Sequence, residues 1–273
     1  MFAGDTMQYR HVRTIGGQFK NTLTSLAIDA HGQLYAAGDS AIKLFDAGGQ
    51  LRSRWAASQP VISVAVASDG TVYAGQLRQI EIFDAGGKLL HTWRNQKLAG
   101  RVTALAFTGD SVLAGDAWDR AIHRFDRAGN FLNTIGKDTA VNGFLIPNGV
   151  VDFGVDAHGT IYAANPGKHR VERYRPAGDL LGHIGRFDGN DPAGFTGCCN
   201  PTNVAIGAAI YTTEKAGPRV KAYDFDGKLL AIIATDVFDA NCKNMDIAVD
   251  AHGRVYVADT VKLGIFVFEP VNA

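Results

Sequence analysis

Three cysteines are the side chains in this 273-residue chain best suited to soft-metal or redox chemistry: the adjacent pair Cys198 and Cys199, and Cys242 further on. Thiolates are soft ligands that favour Cu(I), Zn(II) and other thiophilic metals. Three sulfurs, or two with a carboxylate or imidazole, satisfy trigonal or tetrahedral coordination. Two other readings stand beside this one. Buried cysteine behaves as a small hydrophobe, and a Cys199–Cys242 disulfide would tie two parts of the chain together. The count is odd and too small for a disulfide framework, and there is no paired CxxC pattern at zinc spacing. The cofactor expected is therefore a thiophilic metal ion, Cu(I) or Zn(II), or none.

Basic residues are expected beside this cluster, in two loops of the chain: Lys168, His169 and Arg170, and Lys215 and Arg219. They suit an anionic ligand or the lowering of a thiol pKa, or else pair with Asp188, Asp191, Glu214 and Asp236 as an ordinary solvated rim. The remaining histidines read as structural. His31, His158 and His252 each sit in an Asp-Ala-His-Gly turn. Trp118, between Asp116 and Asp119, is placed to stack a ligand or to pack on its neighbours. No Gly-x-Ser-x-Gly elbow, Walker loop or His-Glu-x-x-His helix is present.

The elements that position these groups follow from an internal repeat. Leu26-Ala27-Ile28-Asp29-Ala30-His31-Gly32 aligns with Val64 to Gly70, Leu105 to Asp110, Phe153 to Gly159, Val204 to Ile206 and Ile247 to Gly253. Each copy is an apolar run with a small central residue, then a polar Gly turn (degraded in the third and fifth copies), then a second apolar run. A third alternating run ends on an aromatic and often an acid, as at Ile42 to Asp46, Ile80 to Asp84 and Ile122 to Asp126. A Gly turn and a fourth run, such as Leu89 to Trp93 or Phe131 to Ile135, close the unit. Period-2 alternation between Gly, Asp and Asn turns predicts antiparallel strands, and nowhere is a helical period sustained.

Six such units predict an all-β, six-bladed β-propeller with four antiparallel strands per blade, a single domain over residues 1–273. The small central residue fits an innermost strand crowded around the channel. The sixth unit runs out after its third strand at Phe266 to Pro270. Tyr9 to Gly16 resembles Phe131 to Gly136, so the N-terminal strand is expected to complete the last blade and close the ring.

In such a blade, the connection into the first strand and the loop between the second and third strands share one face, around the channel mouth. Counting six residues back from the central small residue gives Asn21, Gln59, Gly100, Asn148, Cys199 and Cys242. Two back gives Ser25, Ser63, Ala104, Asp152, Asn203 and Asp246. The start of the second-to-third loop gives Gly38, Gln76, Gly115, Asn165, Glu214 and Asp259. Polar and metal-capable groups thus gather on blades four to six, where the connecting loops (136–148, 185–200, 235–243) are also long. The expected ligand-binding residues are Asn148, Asp152, His169, Asn203, Glu214, Lys215, Arg219 and Asp246, with Cys198, Cys199 and Cys242 as metal ligands.

The apolar-Ala-apolar-Asp…Gly-apolar-Tyr-apolar-Ala-Asp pattern, clearest from Ile247 to Asp259, resembles the NHL repeat and covers nearly the whole chain. Gly197-Cys198-Cys199-Asn200-Pro201-Thr202-Asn203, followed by Thr213 to Lys221, resembles a bacterial subset of these proteins. NHL propellers serve as protein- or RNA-binding platforms, bacterial sensor domains and metal-dependent lyases, so the resemblance implies the architecture and leaves function open. It also leans toward a bacterial periplasmic or exported protein if a leader was removed.

Composition narrows the classes. Lys plus Arg and Asp plus Glu each total 27, which lacks the basic footprint of a nucleic-acid binder. No apolar run is long enough to span a bilayer, and Met1 to Gln8 is not a signal peptide. Three functions are weighed: a monomeric binder of a metal or small ligand, used for sensing, storage or redox chemistry; a metal-dependent lyase or hydrolase at the same mouth; and a protein-interaction scaffold whose cysteines are structural.

Overall fold

The computed structural model describes residues 7–215 and 217–271. The first six residues of the segment weighed as a leader, and Ala216 in the segment following the Cys-Cys motif, lie outside that range.

The strands are set by turns written into the repeat. In Asp29-Ala30-His31-Gly32, the Asp29 carboxylate accepts the backbone N–H groups of His31 and Gln33, both at 2.9 Å. Gly32 takes the left-handed φ of 74° that a side chain would disfavour. The chain reverses, and Ser25–Ile28 pairs with Leu34–Gly38, Ser25 opposite Ala37. Asp156 and Asp250 repeat the device with His158 and Thr160, and with His252 and Arg254. These histidines contribute turn backbone, as their sequence context indicates. Asp46, Asp84, Asp126 and Asp224 do the same between third and fourth strands. Just before the second turn, blades one to five slip register beside the strand-ending aromatic, at Phe45, Phe83, Phe125, Tyr174 and Tyr223. Such a slip raises local twist.

Among the described residues there are six four-stranded antiparallel sheets. Five are consecutive meanders. In the sixth, Ile247–Val249, Val255–Asp259 and Gly264–Val271 are completed by Gln8–Ile15, whose Thr14 lies opposite Phe266. This is the closure expected from the strand count.

The core lies between blades. Tyr256, Ala258, Ile265 and Val267 of blade six pack on Leu26, Leu34, Ala36 and Phe45 of blade one, and each large side chain so buried contributes about 1.5–3 kcal/mol. Where the inner strands of neighbouring blades meet there is no room for bulk: a Cβ added to Gly154 would stand 2.8 Å from Ile206 Cγ1.

Candidate functional site

The six innermost strands begin on a ring of polar side chains: Ser25, Ser63, Thr103, Asp152, Asn203 and Asp246. All are buried, and each blade uses its member to hold the next. The Ser25 hydroxyl accepts the N–H of Val64 at 3.1 Å, and the Ser63 hydroxyl donates to the Val102 carbonyl at 2.8 Å. Thr103 Oγ1 donates to the Val151 carbonyl at 2.8 Å and accepts the Val151 N–H at 3.0 Å. Asp152 accepts the N–H of Val204 at 2.7 Å, and Asp246 that of Leu26 at 2.6 Å. Asn203 Nδ2 donates to Asp246 at 3.4 Å, and the same amide also favours the charged form of Asp152, so it stands between two carboxylates. Thr103 corrects the expected Ala104: a register slip between Val102 and Ala104 moves the hydroxyl into the ring.

Three of the five links from a side chain to the next blade's backbone are made by neutral groups, those of Ser25, Ser63 and Thr103. Two carboxylates are therefore more than stitching requires. Elsewhere, buried acids have clear compensation. Glu172 meets Arg170 at 2.5 Å, Glu214 meets Lys221 at 2.7 Å, and Asp116 and Asp259 each accept three backbone N–H groups. No basic side chain forms an ion pair with Asp152 or Asp246 among the described residues. Burial pushes Asp246 up from 3.8 to about 6. Burial, and then repulsion from Asp246, drives Asp152 well above its ordinary value. The pair resists holding two negative charges.

The ring partitions the channel. On the mouth side lies a chamber of about 320 Å³, lined by Asn21, Thr24, Arg101, Asn148, Asn203, Asn244 and Asp246 among others. Below it a second cavity of about 340 Å³ runs along the inner strands, and Thr103 and Asp246 line both. Asn148 Nδ2 and Oδ1, Asn203 Oδ1 and Asn244 Oδ1 are buried with no hydrogen-bond partner. All three residues line the upper chamber. Buried polar atoms are normally satisfied, so orphans concentrated in one cavity point to a guest.

Of the residues singled out in sequence, Asn148, Asp152, Asn203 and Asp246 belong to this constellation. His169, Glu214, Lys215 and Arg219 are not among the residues lining the chamber. His169 sits in the left-handed region at φ 53° after the short 3-10 turn Pro166–Lys168, its ring against Phe187 at 4.9 Å. Glu214 is committed to a buried ion pair with Lys221, and Arg219 adds a second contact at 3.1 Å. The Lys215 backbone N–H donates to Asn200 Oδ1 at 2.8 Å. The polar starts of the second-to-third loops tie down the entry loops: Gln76 to Gln59, Asn165 to Leu145, and Asp259 to Asp239.

The three thiols do not form one ligand set. All are free, so no Cys199–Cys242 disulfide exists. Cys242 packs with Phe238 and Met245, its sulfur 3.2 Å from Thr260 Oγ1. Cys199 instead faces Cys198. Among the described residues no group of three or more His, Cys, Asp or Glu side chains is arranged to hold a metal ion.

Arg101, Thr103 and Asn244 also line the chamber and carry no signal in the repeat: Arg101 and Thr103 flank Val102 at the third inner strand, off the offsets counted from Ala106, and Asn244 falls between the offsets that mark Cys242 and Asp246.

Fold and site together define a six-bladed propeller with a ligand-accessible axial mouth. Its architecture is shared with proteins of little sequence similarity. A streptogramin B lyase structure superposes with a TM-score of 0.67 at 10% identity, covering 98% of this chain and 100% of that one. A chain of a mitotic checkpoint complex gives 0.68 at 13%, covering 100% and 95%. The WD40 repeats of RRP9 give 0.65 at 14%, covering 97% and 98%. No family model matches the chain, and no curated protein matches it in sequence.

Proposed function

We propose that the protein binds a small molecule rich in hydrogen-bond donors, an amine or polyol, in the upper chamber, with Asp246 and Asn203 as its floor. The observation that carries this reading is the concentration of unpartnered amide atoms of Asn148, Asn203 and Asn244 around one cavity above a buried carboxylate pair that has no ion-pair partner among the described residues. Three of those four atoms are oxygens, so the ligand must chiefly donate. A cationic amine would in addition relieve the repulsion between Asp152 and Asp246. Arg101, at the chamber edge, suits an anionic or carbonyl substituent. The volume of about 320 Å³ fits a small metabolite rather than a polymer.

A panel of polyamines, amino sugars, sugar alcohols and aldoses tests this by thermal shift. At least one class should raise the melting temperature of the wild type. That rise should shrink at least tenfold in apparent affinity with Asn148→Ala and with Asp246→Asn. No shift from any class, or shifts indifferent to both substitutions, would defeat the reading.

A second reading, a protein-docking rim, is favoured by a different feature. Trp118 is 77% exposed and Val141 85%. Trp118 borders a cavity of about 500 Å³ with Lys97, Arg120 and Lys137. An exposed tryptophan beside a basic pocket is a common anchor for a partner carrying an acidic or apolar segment. Trp118→Ala should abolish capture of such a partner without moving the melting temperature, and a lower melting temperature would assign the tryptophan to packing instead.

A further inference from the structure

The Cys198 and Cys199 sulfurs are 2.8 Å apart. This is longer than a covalent S–S bond of about 2.05 Å and well inside the roughly 3.5–4.0 Å separation of non-bonded heavy atoms. One sulfur donates an S–H hydrogen bond to the other. One is exposed and the other buried, so an external reagent meets Cys198 first. The loop is held firmly on either side of the pair. Asn200 Nδ2 donates to the carbonyls of Thr196 at 2.6 Å and Lys215 at 3.0 Å, Arg219 donates to Thr196 Oγ1 at 2.8 Å, and Phe195 is buried. The ion pair of Glu214 with Arg219 and Lys221, which has no place at the chamber, thereby acquires a role: Arg219 and Lys221 brace this loop, Lys221 donating to the Gly194 carbonyl at 2.7 Å.

We infer that Cys198 and Cys199 are a reversible dithiol–disulfide couple, a redox-modification site that closes a bond between adjacent residues and leaves Cys242 untouched. The oxidant is a low-molecular-weight disulfide. The Cys198 thiolate attacks one of its sulfurs, forming a mixed disulfide and releasing one thiolate. Cys199 then gives up its proton to that released thiolate and attacks Cys198 Sγ, expelling the second. Two S–H groups become one S–S bond, and the external disulfide becomes two thiols. The division of labour matches the electrostatics. The hydrogen bond from Cys199, with Lys215 nearby, lowers the Cys198 thiol, while burial raises Cys199, giving an attacking and a resolving sulfur. Consecutive Cα atoms are about 3.8 Å apart, below the usual disulfide span of about 4.4–6.8 Å, so the bond should reopen readily under a dithiol reductant.

The test is alkylation with N-ethylmaleimide after acid quenching and unfolding, read by intact mass and peptide mapping. Protein kept in dithiothreitol should take three labels. After equilibration with oxidised glutathione it should take one, at Cys242, with the underlying chain lighter by two hydrogens, and dithiothreitol should restore all three. Cys198→Ser and Cys199→Ser should each prevent the loss of two hydrogens, and Cys242→Ala should leave it unchanged. Three labels under both conditions would overturn the inference. So would loss of the Cys242 label through a bridge to that residue, or a lasting glutathione adduct on Cys198 with Cys199 still free.

Discussion

A carboxylate at the start of an innermost strand has a structural duty that serine performs equally well: it holds the next blade by one backbone N–H. What Asp152 and Asp246 add is charge in a place that resists it. For Asp246 the unfolded chain titrates near 3.8 and the fold near about 6, so between those values the folded state holds more protons. Stability from this group is full at acid pH, falls as pH rises from about 4 to about 6, and is level above. A move of that size corresponds to about 3 kcal/mol. Asp246→Asn keeps an oxygen for Leu26 N–H and removes the titration. Its stability relative to wild type should therefore rise by about 2–3 kcal/mol across that window, measured by urea unfolding at several pH values; a constant difference contradicts the assignment. Glu214 is the opposite case, a buried acid whose purpose is its partners. Lys221→Met strands it beside Arg219 alone and should cost about 3–5 kcal/mol. Adding Glu214→Gln should recover most of that loss, whereas a double variant no better than the single would show the carboxylate serves something other than this pair. Sequence made Asp152, Asn203 and Asp246 legible because each interrupts a position the repeat otherwise fills with small neutral groups. The cysteines lie in loops, where the strand period sets no register: Cys199 meets Cys198 and Cys242 packs with Phe238 and Met245.

At the scale of the element, the same face that carries the chamber is held together by acids that bridge loop to loop. Asp39 accepts the N–H groups of Lys20, Asn21 and Thr22 at 2.8, 2.9 and 3.0 Å. Asn21 and Thr22 line the chamber, so Asp39 shapes a wall it does not touch. Desolvation alone would push its carboxyl up, yet those three donors and nearby Lys43 hold it down at about 2. Its contribution is present above pH 4 or so and disappears as pH falls toward 2. Asp39→Ala should cost about 2 kcal/mol and speed amide exchange at residues 20–22, while the amides of Ile42 and Phe45 stay protected. Uniform acceleration throughout blade one would mean the loop is not a separate unit. This class of contact was invisible in the sequence. Asp259, one of the polar groups at the start of a second-to-third loop, is likewise taken up by backbone N–H groups, one from the entry loop at Asp239 and two from its own loop at Val261 and Lys262. The strands were legible throughout, since turn, alternation and small central residue all repeat. The departure at Thr103 comes from a one-residue bulge, which periodicity cannot register because both faces there are buried.

The molecule as a whole is a ring of six sheets, each packed mainly on its two neighbours, and five of those sheets are local in sequence. The sixth joins the two ends of the chain: Gln8–Ile15 on Gly264–Val271. Opening any other blade breaks contacts between nearby segments, but opening this one turns the ring into an arc and exposes the Ile15, Ile265 and Val267 cluster to water. It also unseats the link from Asp246 to Leu26, so the throat and the seam share one interface. Stability of the ring and order at the chamber floor are therefore coupled through blade six. Arg10 faces Glu269 in register across the seam, 3.7 Å apart at their charged ends. Such an exposed pair contributes little by itself, which makes the position free for a covalent clasp. In Arg10→Cys/Glu269→Cys, with the native cysteines replaced, the disulfide would close a loop of nearly the whole chain. Loop-closure entropy sets an upper scale of about 5 kcal/mol, or roughly 5–15 °C in melting temperature for a domain of this size. The oxidised form should melt later than its own reduced form, and exchange at Leu26 should slow with it. If the clasp forms but neither quantity moves, unfolding starts at another blade and the seam is not where the ring gives way.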